Sequence, residues 1–146
     1  MAVELRTQLG RGAQAGVAAD PLEVVVLHTT TRGTLTSLRR AAELADGLAA
    51  RIRLLVIAEV PYPLDLDSPA VPAAFTKRRF TTIASESRVD TTVDIRWGRE
   101  KLAMIETALK AKSLVVMDRR RGWWRFAERK LAKRLERLGH QIVYSN

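Results

Sequence analysis

Short apolar runs alternate with longer stretches of helical spacing along most of the chain. Five runs are typical of strands, and they cover residues 22–28, 52–60, 89–97, 114–117 and 141–144. The stretches between them repeat apolar residues every three or four positions, which predicts helices near 34–49, 68–87, 102–112 and 124–138. Five strands alternating with four helices predict an α/β domain whose parallel sheet is covered on both faces.

Individual residues indicate where some of the predicted helices begin and end. Thr34 or Thr36 can cap the first helix, and Gly139 can end the fourth. The third strand alternates apolar residues with polar ones such as Asp94 and Arg96, so we expect it near an edge of the sheet.

The pattern also suggests where the domain begins. Residues 1–21 contain Gly10, Gly12 and Gly16 and have no sustained apolar period, which predicts a flexible N-terminal extension before a single domain at 22–146. No apolar run approaches the roughly 20 residues that a membrane span needs. Cysteine is absent, which excludes disulfides and thiolate nucleophiles and fits a cytoplasmic protein.

A small-molecule site in such a fold is expected at the carboxyl ends of the strands, where the strand order reverses. In this sequence those ends are 28–33, 97–98 and 118–122.

Three stretches together resemble the universal stress protein family over residues 22–146. They are Val24–Leu27 with the helix that follows, Gly98 at the start of the third helix, and Leu114–Met117 before a basic turn. The resemblance implies a three-layer, Rossmann-like domain of the adenine-nucleotide α-hydrolase-like type, with a five-stranded parallel sheet in the order 3-2-1-4-5. It also implies a homodimer joined along the last strand, through Ile142, Val143 and Tyr144.

Many members of that family bind ATP through an acidic residue after the first strand and a G-x2-G-x9-G-(S/T) stretch after the fourth. Glycines matter there because backbone amides can surround phosphates only where no side chain blocks the approach. Between Met117 and Leu138 this chain has Gly122 alone, and Thr29 stands at the acidic position. We therefore expect no ATP binding of the usual kind and no cofactor.

An alternative is a degenerate nucleotide or anion site, because an arginine side chain can bind phosphate oxygens in pairs. Its residues would be Thr29, Thr30, Gly98, Arg119, Arg120, Arg121 and Gly122.

The formal net charge of +9 is concentrated near the C terminus. Residues 119–137 hold nine basic residues and two acidic ones, a net charge of +7. Arg125, Arg129, Lys133 and Arg137 recur every four residues and would form a ridge on one helix face. This basic surface is either a solvated helix face or a contact surface for nucleic acid, an acidic protein or an anionic membrane. Few aromatic residues accompany it, and sequence-specific nucleic-acid recognition has no support.

No set of residues indicates a catalytic or metal centre. Asp65 and Asp67 supply too few oxygens for calcium, and His28 has only His140 as a possible fellow ligand. No nucleophile elbow is present. The sequence favours a non-enzymatic regulatory or stress-response module that acts through dimerisation and contacts with a protein partner. The alternatives are the anion-binding signalling protein and, after it, a nonspecific nucleic-acid or membrane-surface binder that uses the C-terminal helix.

Overall fold

The computed structural model describes residues 3–9, 22–60, 62, 73–119 and 125–145. Six strands and four helices follow one another along the chain. The strands are β1 (Val3–Leu9), β2 (Glu23–Leu27), β3 (Arg51–Glu59), β4 (Thr91–Gly98), β5 (Leu114–Asp118) and β6 (Gln141–Ser145), and the helices are α1 (Thr31–Leu48), α2 (Ala73–Ser85), α3 (Lys101–Ala108) and α4 (Arg125–Arg137). None of the described helices is long and apolar enough to cross a membrane.

All strand pairs in the sheet are parallel, and the order is β1-β4-β3-β2-β5-β6. Without β1, this is the predicted order 3-2-1-4-5, so the predicted three-layer α/β fold is confirmed. Two buried clusters lie on the two faces of the sheet. One joins α1 and α2 to the sheet through residues such as Leu38 and Phe80, and the other joins α3 and α4 through residues such as Ile105 and Leu135.

The N terminus differs from its prediction as a flexible extension. Val3–Leu9 form a strand that pairs residue by residue with Thr91–Trp97. The backbone groups of β4 would otherwise form an open sheet edge, and β1 satisfies them. Residues 1, 2 and 10–21 of the predicted extension lie outside the described residues.

The first helix begins earlier than predicted, directly after the β2 turn. Its cap is Thr30, whose side-chain oxygen accepts a hydrogen bond of 3.1 Å from the Gly33 amide. The predicted caps Thr34 and Thr36 are wrong, because both lie inside the helix. At the far end of the chain Gly139 has a φ of +95°, which confirms it as the glycine that ends α4.

The polar side of β4 faces α3 rather than solvent. Asp94 is 2% exposed, and its carboxylate accepts hydrogen bonds from Arg53 on β3 at 2.9 Å and from Arg96 at 3.2 Å. Arg53 also donates to Glu23 on β2 and to the carbonyl oxygen of Ala108 at the end of α3, both at 2.9 Å. This ion network joins three strands and one helix beneath α3.

Candidate functional site

The carboxyl ends of β2 and β5 meet at the first turn of α1. Gly33, in that turn, lies against the side chain of Asp118, the last residue of β5. A Cβ on Gly33 would be 2.6 Å from Asp118 Oδ2 and 2.9 Å from the Asp118 Cβ and Cγ atoms. The glycine therefore allows a carboxylate to approach the helix N terminus closely, where the backbone amides and the helix dipole favour negative charge.

His28 lies at the same edge and is held in place from two sides. Its Nδ1 atom shares a hydrogen bond of 2.7 Å with Thr34 Oγ1, and its ring meets the ring of Phe80 edge-on at 4.6 Å between centroids. Burial, together with the positive charges of Arg79 and Lys101, lowers the pKa of His28 from its ordinary value of 6.5 to about 4. The imidazole is neutral at pH 7 and can accept or donate a hydrogen bond.

Arg79 from α2 and Lys101 from α3 bring two positive charges to this edge. Arg79 donates a hydrogen bond of 2.5 Å from Nη2 to Thr31 Oγ1 in the first turn of α1. Lys101, at the start of α3, adds a smaller electrostatic contribution to the lowered pKa of His28. An anion near His28 would interact favourably with both positive charges.

Thr29 supplies a buried polar group to this edge. Within the described part of the chain, its Oγ1 atom has no hydrogen-bond partner although it is shielded from solvent. Thr30 is occupied differently, because its side chain caps α1.

Gly98 lies at the end of β4, and the side chain of Met104 packs directly over it. A Cβ on Gly98 would collide with the sulfur and methyl group of Met104. Gly98 is itself buried, so its lack of a side chain serves the packing of α3 on the sheet.

The predicted arginine group is only partly described. Arg119 is exposed, and its guanidinium carbon lies 5.4 Å from the ring centroid of Tyr144 on β6. Arg120, Arg121 and Gly122 lie outside the described residues. The structure thus brings together Thr29, Thr30, Gly33 and Asp118, while Arg119 is directed to the β6 side.

The basic surface lies on α4, where Arg129, Lys133 and Arg137 are exposed. Arg125 begins the helix, but its side chain lies outside the described residues. Lys133 and Arg137 also line an open groove of about 600 Å³ between α3 and α4, whereas Arg129 does not. The described part of the four-residue stripe therefore stays on one helix face, and only Lys133 and Arg137 of it line the groove.

The predicted dimer residues lie on β6, the last strand of the sheet in the described part of the chain. Ile142, Val143 and Tyr144 are all half-buried, because each already packs on the helices of its own chain. Burial raises the pKa of Tyr144, Glu136 adds to the rise, and Arg119 and Arg129 oppose it.

Sequence reasoning missed Arg79, Lys101 and the role of Asp118. The helix that carries Arg79 was the least regular in its apolar pattern, and nothing local connects residue 79 to residue 31. Among the described residues, no cluster of histidine and acidic side chains is able to hold a metal ion.

The strand order and the two helical layers define the adenine-nucleotide α-hydrolase-like class of three-layer α/β domains. Among solved structures, a universal stress protein in complex with cAMP matches with a TM-score of 0.56 and 13% sequence identity. The match covers 88% of this chain and 98% of that one, which shows that the two share a fold. No protein-family model matches the chain, and no curated protein matches it.

Proposed function

We propose that the chain is a non-enzymatic, cytoplasmic stress-response or regulatory module of the universal stress protein type. It acts through dimerisation and protein contacts, and it does not bind ATP in the manner usual for that family. The observation that carries the second part is the carboxylate of Asp118 against the first turn of α1.

A doubly wound domain offers phosphates the strand end and helix N terminus that Asp118 occupies here. A phosphate placed there would face a negative charge at close range. At about 4 Å, two unit charges near a protein surface repel by about 4 kcal/mol, which corresponds to roughly a thousandfold in affinity. Asp118 already supplies the negative charge that the helix terminus favours.

Thermal unfolding with nucleotides tests this part of the proposal. We expect no change in melting temperature with 1 mM ATP, ADP or cAMP, since a ligand at a hundred times its Kd would add about 2.7 kcal/mol of stability. If ATP instead raises the melting temperature of the wild-type protein and of Asp118→Asn by the same amount, that result contradicts the argument from Asp118. The matched control is Asp46→Asn, which removes an exposed carboxylate near the C-terminal end of α1, away from its first turn.

Dimerisation is supported by the position of β6 at one end of the described sheet. An edge strand presents unpaired backbone groups, and a second copy could extend the sheet across them. Native mass spectrometry of the purified protein reports the number of subunits and any nucleotide that purifies with it. A monomer at 50 µM would refute a stable dimer.

A second candidate function, binding of a small anion or nucleotide, is favoured by the cations beside His28. Arg79 and Lys101 approach the site, and Thr29 offers a buried hydroxyl group. The solved structure with the similar fold is a complex with cAMP, which makes cAMP a reasonable probe here. If this site binds cAMP or inorganic phosphate, Arg79→Gln and Lys101→Gln should weaken binding and Asp118→Asn should strengthen it.

A further inference from the structure

The groove between α3 and α4 is lined by both apolar and cationic side chains. Leu102 on α3 and Leu131 on α4 contribute its apolar part, and Leu102 is 42% exposed. Five cationic residues and Glu128 complete the lining, and the cationic ones are Lys101, Lys130, Lys133, Arg134 and Arg137. The groove has a volume of about 600 Å³ and opens to solvent.

The two helices hold this groove at a fixed width. Arg134 on α4 donates a hydrogen bond of 3.0 Å to Glu106 on α3, and the two side chains form a salt bridge across the gap. Beneath the groove, Ile105 and Leu135 are fully buried in the cluster that attaches both helices to the sheet. The groove is therefore a preformed feature of the fold.

We propose that this groove binds an acidic, amphipathic helical segment of a partner protein. The proposal rests on the proposed function, because it names the kind of partner through which the module would act. The lining residues on α4 extend from 128 to 137, which at 1.5 Å per residue is about 14 Å, or two and a half helical turns. A helix of that length can place apolar side chains at i, i+4 and i+7 along the groove.

Charge complementarity selects the occupant. Acidic side chains of the docked helix would pair with the cationic lining residues, while its apolar stripe covers Leu102 and Leu131. Nucleic acid would satisfy the cations but would leave the leucines in contact with water. An anionic bilayer would need apolar side chains that protrude, and here they line a recess.

The experiment uses the full chain and fluorescent 12-residue peptides. The test peptide carries leucine at i, i+4 and i+7 with glutamate at the flanking positions, and the control peptide has the same composition with the leucines spread around the helix. Fluorescence anisotropy should show that the patterned peptide binds at least tenfold more tightly than the control. Equal binding of the two peptides, or no binding of the patterned one up to 1 mM, overturns the proposal.

Variants of α4 locate the binding site. Lys133→Glu and Arg137→Glu should each weaken binding of the patterned peptide about tenfold, because both residues line the groove. The matched control is Arg129→Glu, which makes the same charge change on an exposed residue of the same helix outside the groove and should alter binding less than twofold. Leu102→Asp should weaken binding without changing any cation. Equal losses in Arg129→Glu and Lys133→Glu would refute the assignment.

Single-stranded DNA of 12 nucleotides and vesicles with anionic lipid are the competing occupants in the same assay. Either one binding more tightly than the patterned peptide, with a steep loss between 50 and 200 mM salt, overturns the proposal in favour of a nonspecific anionic surface. The nucleotide experiment with Asp118→Asn is independent, so failure of the groove and failure of the proposed function can be distinguished.

Discussion

The buried ion network around Arg53 makes a quantitative prediction about stability. Replacing Arg53 by methionine keeps an unbranched side chain of similar length but removes three hydrogen bonds of 2.9 Å, to Glu23, Asp94 and the Ala108 carbonyl oxygen. Asp94 would keep Arg96 as a partner, whereas the Ala108 oxygen would lose its donor from β3.

The magnitude follows from the burial of the two charges. The side chains of Arg53 and Asp94 are 5% and 2% exposed, so neither can recover full hydration when its partner is removed. Breaking such a buried pair costs about 3–5 kcal/mol, and we expect the lower end for Arg53→Met because Arg96 remains. With a denaturant slope of about 2 kcal/mol/M, a loss of about 3 kcal/mol lowers the urea midpoint by about 1.5 M.

Urea unfolding followed by circular dichroism measures this change. The matched control is Arg51→Met, on the same strand at an exposed position, which should change stability by less than about 0.5 kcal/mol. The double variant Arg53→Met/Asp94→Leu should lose less than the sum of the two single variants, because it removes both buried charges together. An Arg53→Met variant as stable as Arg51→Met would refute the reasoning.

Two further predictions concern the candidate site. Gly33→Ala should destabilise the fold by about 1–3 kcal/mol because the new Cβ collides with Asp118, and Asp118→Gly should restore the lost stability. The control Gly47→Ala, which has open space around it in the same helix, should stabilise the fold by about 0.5–1 kcal/mol. Equal effects of the two alanine variants in thermal melts would contradict the close approach of Asp118 to Gly33. For His28, the pKa of about 4 in the folded protein lies below the ordinary value of 6.5. The contribution of neutral His28 to the free energy of unfolding is therefore fully present above pH 6.5 and falls by about 2–3 kcal/mol as the pH drops to 4. Urea unfolding at several pH values should show that stability depends less on pH in His28→Gln than in the wild-type protein. If NMR shows that His28 titrates near pH 6.5 in the folded protein, this prediction is refuted.

The sequence predicted five of the six strands, their order through the family resemblance, and the presence of four helices between them, because period and turn residues are local properties. The apolar stripes were predicted less well, since Phe75, Leu102 and Leu138 are exposed. It could not pair Arg53 with Asp94, which lie 41 residues apart and meet only once β3 and β4 are adjacent. The alternation along β4 was correctly identified, and β4 lies next to the edge strand β1 as expected, but the sequence did not show that Arg53 and α3 cover its polar face.

The location of the candidate site could be predicted from the sequence, but most of the side chains that form it could not. The carboxyl edge follows from the strand order, and Thr29 and Thr30 lie there as expected. The approach of Asp118 to Gly33 and the cations Arg79 and Lys101 depend on helix packing that no local pattern encodes. The Val3–Leu9 strand was missed because a single short alternating run does not indicate which sheet edge is available to it.

The pairing of β1 with β4 sets an order of events during synthesis. Val3 leaves the ribosome long before Thr91, its partner in the ladder, so β1 can complete its pairing only after the 81 residues between β1 and β4 have been translated. The closing contact has a high sequence separation, and contacts of that kind form slowly. In a refolding experiment, a probe in β1 should therefore report its final environment later than a probe in the β2–β3 pair, and during that delay the open side of β4 is accessible to other chains.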